Sequence, residues 1–186
     1  MTATHILRIL EDEQRQHDVR AHRDVFYLPY PERMKHLTLH IAKYAGRLAH
    51  PKSTPDQLAR TIADTFVILL SASDVLRIDF PKALSRWTSA DDHPDLLALS
   101  AALSAAEPHI KEIGDWYLRA VASAAGKMAK ACESLDHMEP IPYREMLTEA
   151  VVELTRTTLI ASAIISLDIE AAVRRRWQEI EAAGSL

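Results

Sequence analysis

Cysteine occurs once in the 186 residues, at Cys132, so the chain has no internal disulfide and no cysteine-based zinc cage. Glycine occurs four times, and no Gly-rich phosphate loop or nucleophile elbow is present. No stretch approaches the roughly 18–20 consecutive apolar residues of a membrane span. The opening "MTATHILRILEDEQRQHD" lacks the basic flank and unbroken apolar run of a signal peptide. β-Branched residues are scattered, and no run alternates with a period of two, so nothing points to strands. A net charge of −4 argues against a general nucleic-acid binder, while leaving room for a local basic patch. These absences together lead us to expect a soluble, cytoplasmic protein with no membrane partner.

What remains is helical. Hydrophobic residues make up 48% of the chain, with Ala and Leu abundant, the composition of an all-α globular protein. Its length suits one domain, or two small ones. Ile6, Leu7 and Leu10 open a first helix that turns polar through "EDEQRQHDVRAHRD" and is broken by "FYLPYPE" with Pro29 and Pro31. Further helices are expected over about 32–49, 55–76, 94–106, 108–132, 143–167 and 168–183. Thr54 is placed to cap the second of these, with Pro55 at its first position, and Asp79 to cap a short turn beyond it.

The second half restarts the first. "IAKYAGRLAH" (41–50) aligns without gaps on "VASAAGKMAK" (121–130), matching Gly46 to Gly126. "DTFVILLSASDVLRIDFPKALSR" (64–86) aligns on "ELTRTTLIASAIISLDIEAAVRR" (153–175), in the same order. The expected architecture is a helical bundle of two related hairpin units, 1–92 and 93–186, packed pseudo-symmetrically into one compact domain. Glycine inside a helix costs about 1 kcal/mol against alanine, so Gly46 and Gly126 suggest close approach of a neighbouring helix.

One helix carries two stripes. Leu37, Ile41, Tyr44 and Leu48 form an apolar face, and beside them His36, His40, Lys43, Arg47 and His50 form a basic one. Such a row of cations needs something anionic opposite it. His36 and His40 also have the i, i+4 spacing of a helical metal pair, which Asp64 would complete if its helix faced them. Lys43 and Arg47 either hold a ligand or pair with acids on a neighbouring helix. Those acids are Glu11, Asp12, Glu13 and Asp18, or the stripe Glu145, Glu149 and Glu153, which otherwise reads as a solvated face. Asp64 lies within "TIADTFVILL", where an unpaired carboxylate is costly to bury, so Lys43 or His40 is its expected partner. Phe26, Tyr27 and Tyr30 either line a pocket beside the stripe or plug the end of a bundle. "RRRW" (174–177) either touches phosphate or an acidic partner or simply suits the macrodipole of an exposed C-terminal helix, and Cys132 has no evident base.

The first helix, "KYAGRLA" (43–49) and "TIADTFVILLSASDVLRIDFPKALSRW" (61–87) together resemble the all-α nucleoside triphosphate pyrophosphohydrolases, the MazG-like superfamily. The likeness covers most of 8–87, with a weaker copy over 108–177. Members pair E-E-x-x-E on one helix with E-x-x-D on another, and these carboxylates hold Mg²⁺. Carried over residue by residue, the three glutamates of the first motif fall on Lys43, Tyr44 and Arg47. The second motif falls on Thr61 and Asp64. In the weaker copy the corresponding residues are Ser123, Ala124 and Lys127, then Ala150 and Glu153. One carboxylate per site does not supply the oxygen ligands that Mg²⁺ requires.

The resemblance therefore implies a divergent relative that binds a nucleotide, another phosphorylated small molecule or a protein partner directly. Lys43 and Arg47 would hold phosphate, and Tyr44 is placed to stack or hydrogen-bond. The ligand-binding set expected is His36, His40, Lys43, Tyr44, Arg47 and Asp64. An active pyrophosphohydrolase using Mg²⁺ or Mn²⁺ on an unorthodox set such as His36, His40, Asp64 and Glu153 is the alternative. A structural or regulatory oligomerisation module is the third. Family members commonly assemble into dimers or tetramers, so the resemblance also implies a homo-oligomer.

Overall fold

The computed structural model describes residues 1–50, 54–107 and 110–183. Among these residues all regular structure is helical. The chain runs through α1 (Ala3–Ala21), α2 (Arg23–Phe26), α3 (Tyr30–Leu48), α4 (Pro55–Leu76) and α5 (Phe80–Leu84). After a 3₁₀ turn at Ala90–Asp92 come α6 (Leu96–Ala105), α7 (Ile113–Asp136), α8 (Tyr143–Ile164) and α9 (Ile169–Ala182). No single described helix is long and apolar enough to cross a membrane.

Local chemistry sets most of these boundaries. Thr54 and Gln57 form a reciprocal capping box at the start of α4, with Pro55 in its first turn. Asp79, Asp95 and Asp168 each accept a backbone N–H three residues on and so cap α5, α6 and α9. Pro29 and Pro31 fall at the start of α3, where a missing N–H costs nothing. The expected helix start at Pro108 lies outside the described residues; α7 is helical from Ile113 and runs one turn beyond Cys132.

α3 packs along α7, α7 along α8, and α4 against both α3 and α8. This cage encloses Leu37, Ile41, Phe66, Leu69, Val121, Met128, Val151 and Leu159, and each such side chain contributes about 1.5–3 kcal/mol on burial. Tyr117 sits at its centre with its hydroxyl 3.1 Å from that of Thr158, and burial pushes the phenol up to about 12. α1 and α9 close over α4, and α6 lies against α8.

A buried polar chain pins that outer layer. The Trp177 indole N–H donates to Gln14 (2.6 Å), and the Gln14 amide donates to Asp18 (2.8 Å). Ser71 donates to the other Asp18 oxygen at 2.7 Å, while Arg33 reaches both Asp18 and Asp74. α1, α3, α4 and α9 therefore share one satisfied network, as burial of these groups requires.

The connectors after α4 and α8 are built alike. Arg77 and Ser166 are both left-handed, with φ 56°. Ile78 N–H reaches back to Ser73 C=O (2.9 Å), and Leu167 N–H reaches back to Ser162 C=O (2.8 Å). Each is a Schellman closure followed by an aspartate cap. The glycines do not serve close packing, however. A methyl group added at Gly46 or Gly126 would meet nothing within 4 Å; both positions face outward, and nothing in the structure explains them.

Candidate functional site

The basic stripe is present on α3 as a connected ladder. Nε2 of His36 lies 3.1 Å from Nε2 of His40, and Nδ1 of His40 lies 3.1 Å from Lys43 Nζ and 3.4 Å from the Tyr44 hydroxyl. Lys43 and Arg47 both lie over the Tyr44 ring, at 5.2 and 5.1 Å from its centroid. That ring is buried beneath its own helix's cations, so it is not free to stack on a ligand. Burial lowers the pKa of His36 and, with the help of Lys43, brings His40 down to about 4. At neutral pH the histidines are therefore uncharged, and Lys43 and Arg47 carry the charge of this ladder. Lys43 is itself pulled down, by burial and by Arg47. The repulsion expected along the row is thus relieved by deprotonation.

Asp64 has different partners from those expected. Its Oδ2 takes a 2.7 Å bond from Arg47, and its Oδ1 a 2.6 Å bond from Nε of Arg176 on α9. Neither Lys43 nor His40 pairs with it. The Asp64 side chain is 7% exposed, that of Arg176 14% and that of Arg47 32%. Arg176 also pairs with Glu179, which Arg60 approaches at 3.6 Å. The acids expected opposite Lys43 and Arg47 are engaged elsewhere. Asp18 takes Arg33, Asp12 takes Arg15 and Gln16, and Glu13 takes Arg174. Glu11, half-buried under α5, is pushed up to about 7, chiefly by desolvation.

Two guanidiniums thus occupy the coordinating face of the surviving aspartate. Asp64 does not complete a metal site with His36 and His40. Among the described residues no three His, Cys, Asp or Glu side chains converge as a metal cage. The corresponding positions in the second half do converge. Ser123, Ala124 and Lys127 on α7 face Ala150 and Glu153 on α8 across a cavity of about 280 Å³. Glu149 and Glu153 are both held by Arg86, at 3.0 Å each. Arg86 in turn lies over Trp87, as does Arg156, which pairs with Glu107.

No family model, curated protein or solved structure matches the chain. The assignment of roles therefore rests on the geometry.

Phe26 lies under the Arg33 guanidinium (4.6 Å) at the rim of a cavity beside His36, and Tyr27 is exposed. The Tyr30 hydroxyl is buried without a partner. "RRRW" is not an exposed end: Arg174 binds Glu13 and Glu170, Arg176 binds Asp64, and Trp177 is buried on Gln14. The Cys132 thiol is buried 3.6 Å from the Thr38 hydroxyl and is pushed up by desolvation.

Arg86, the Arg33–Asp18 pair and the pairing of Arg176, within "RRRW", with Asp64 were not singled out from sequence. The Gln14 and Asp18 signal was readable, because Leu7, Leu10, Gln14 and His17 continue one buried face at spacings of three, four and three. Arg86 carried no local signal, and the basic run did not say which acid Arg176 meets, since each reaches its carboxylate across a helix–helix contact.

Proposed function

We propose that this chain is a MazG-like protein that does not hydrolyse nucleotides and instead binds a phosphorylated ligand on the face formed by Lys43, Arg47, Arg60 and Arg176. The observation that carries the proposal is the clamp on Asp64, whose two oxygens are taken by Arg47 and Arg176 at 2.7 and 2.6 Å. A Mg²⁺ ion would have to displace both guanidiniums and would gain one carboxylate. Three cations, Arg47, Arg60 and Arg176, meet two carboxylates, Asp64 and Glu179, and Lys43 lies within electrostatic reach of Asp64. The excess positive charge suits phosphate, which arginine binds by paired hydrogen bonds. Descent from the MazG-like fold is supported by the convergence of Ser123, Ala124, Lys127, Ala150 and Glu153 on one cavity. Duplication is supported by the matching closures at Arg77 and Ser166.

The test is a panel of standard and modified nucleoside triphosphates with Mg²⁺ or Mn²⁺, read by both melting temperature and pyrophosphate release. Stabilisation without turnover, lost in Lys43→Glu/Arg47→Glu, is the expected result. Turnover abolished by Asp64→Ala would overturn it and establish the hydrolase alternative.

A second reading is favoured by one observation: each surviving acid, Asp64 and Glu153, already has an internal arginine partner. On that reading the charges serve stability or self-association. Absence of any nucleotide shift, with loss of folding or assembly in the double variant, would select it.

A further inference from the structure

The His36–His40 pair lies at the wall of a partly open cavity of about 70 Å³, between α3, α4 and the α1–α2 corner. One water-sized ligand needs roughly 10–15 Å³, so this cavity has room for an ion with coordinated water. Asp18 and His22 line it from the opposite side. We propose that His36 and His40 form a two-imidazole chelate for Zn²⁺ or a similar divalent transition ion, with water completing its coordination. The site does not depend on phosphate binding or on any family membership.

The geometry is already close. The two Nε2 atoms lie 3.1 Å apart, with ring centroids at 4.7 Å. A tetrahedral zinc with Zn–N bonds of about 2.0–2.1 Å holds two nitrogens about 3.3–3.4 Å apart. A shift of a few tenths of an ångström admits the ion. Without metal the short contact is an N–H···N bond. Lys43 donates to Nδ1 of His40, so the His40 proton sits on Nε2 and is shared with His36. On binding, zinc takes both Nε2 lone pairs and the His40 proton moves to Nδ1. There it faces the Tyr44 hydroxyl at 3.4 Å, the kind of outer partner that orients a metal-bound imidazole. The exposed Lys43 ammonium must turn away.

Calorimetric titration of the full chain with Zn²⁺ at neutral pH tests this. His36→Ala and His40→Ala should each weaken binding by roughly 10- to 100-fold, because a single imidazole loses the chelate advantage. His137→Ala, at an exposed position, serves as the control. Lys43→Met should tighten binding by removing the competing donor. Unchanged affinity in His36→Ala/His40→Ala, or weaker affinity in Lys43→Met, overturns the proposal. Should the histidine variants fail to fold, acylation of the wild-type chain by diethyl pyrocarbonate, mapped by mass spectrometry, decides the matter. Zn²⁺ should then shield His36 and His40 but not His137, whereas equal labelling with and without Zn²⁺ overturns it.

Discussion

Removing the Asp64 carboxylate leaves Arg47 and Arg176 facing each other with no anion between them. Asp64→Ala should therefore destabilise the fold by about 2–4 kcal/mol, the cost of stranding partly buried charge, measurable by urea denaturation. Glu11 makes a pH-dependent contribution of the opposite character. Its folded pKa of about 7 lies above the ordinary 4.5, so the folded state holds the proton more tightly. That contribution is fully present below 4.5 and is lost as pH rises through 7. Glu11→Gln should raise stability above pH 7 by about 1–3 kcal/mol and change little below 4.5. The histidines act in reverse. His36 and His40 are depressed in the folded state, so stability falls as pH drops from 6.5 towards 4, and His40→Gln should flatten that slope.

Helix ends dominate at the next scale. α4, α7 and α8 all close with a left-handed residue, and none of the three is glycine: Arg77, Met138 and Ser166 have φ between 53° and 56°. Glycine meets no Cβ penalty there. Arg77→Gly, Met138→Gly and Ser166→Gly should each stabilise by about 0.5–1 kcal/mol. Gly46→Ala and Gly126→Ala, at outward-facing helical positions, should each gain a similar amount. Thermal melts of single and combined variants check both sets. Elements are also where the sequence was most legible. Thr54 and Pro55 announce α4 locally, and its bounds follow, as does the Asp79 cap of α5. The glycines misled because a helix-interior glycine signals close approach only when a neighbour is there. The partner of Asp64 was illegible for a related reason. Lys43 and Arg47 share one face of α3, so periodicity alone does not choose between them, and Arg176 arrives from another helix.

For the molecule as a whole, α9 ties the layers together. Trp177→Ala removes an indole that is both buried and bonded to Gln14, and should cost about 3–5 kcal/mol, visible as a large fall in the urea midpoint. The loss should also loosen Arg176 on Asp64, so the melting curve of Trp177→Ala/Asp64→Ala should be less than additive. The Trp177–Gln14 bond joins residues 163 positions apart, and the Arg176–Asp64 bond spans 112. Both are closed by the last described helix. A nascent chain paused within α8 carries Asp64 with one guanidinium instead of two and Gln14 with no indole to receive. Synthesis runs from the other end, so α1 and α4 must wait, uncovered and half-neutralised, until α9 emerges to release them from that interval of exposure.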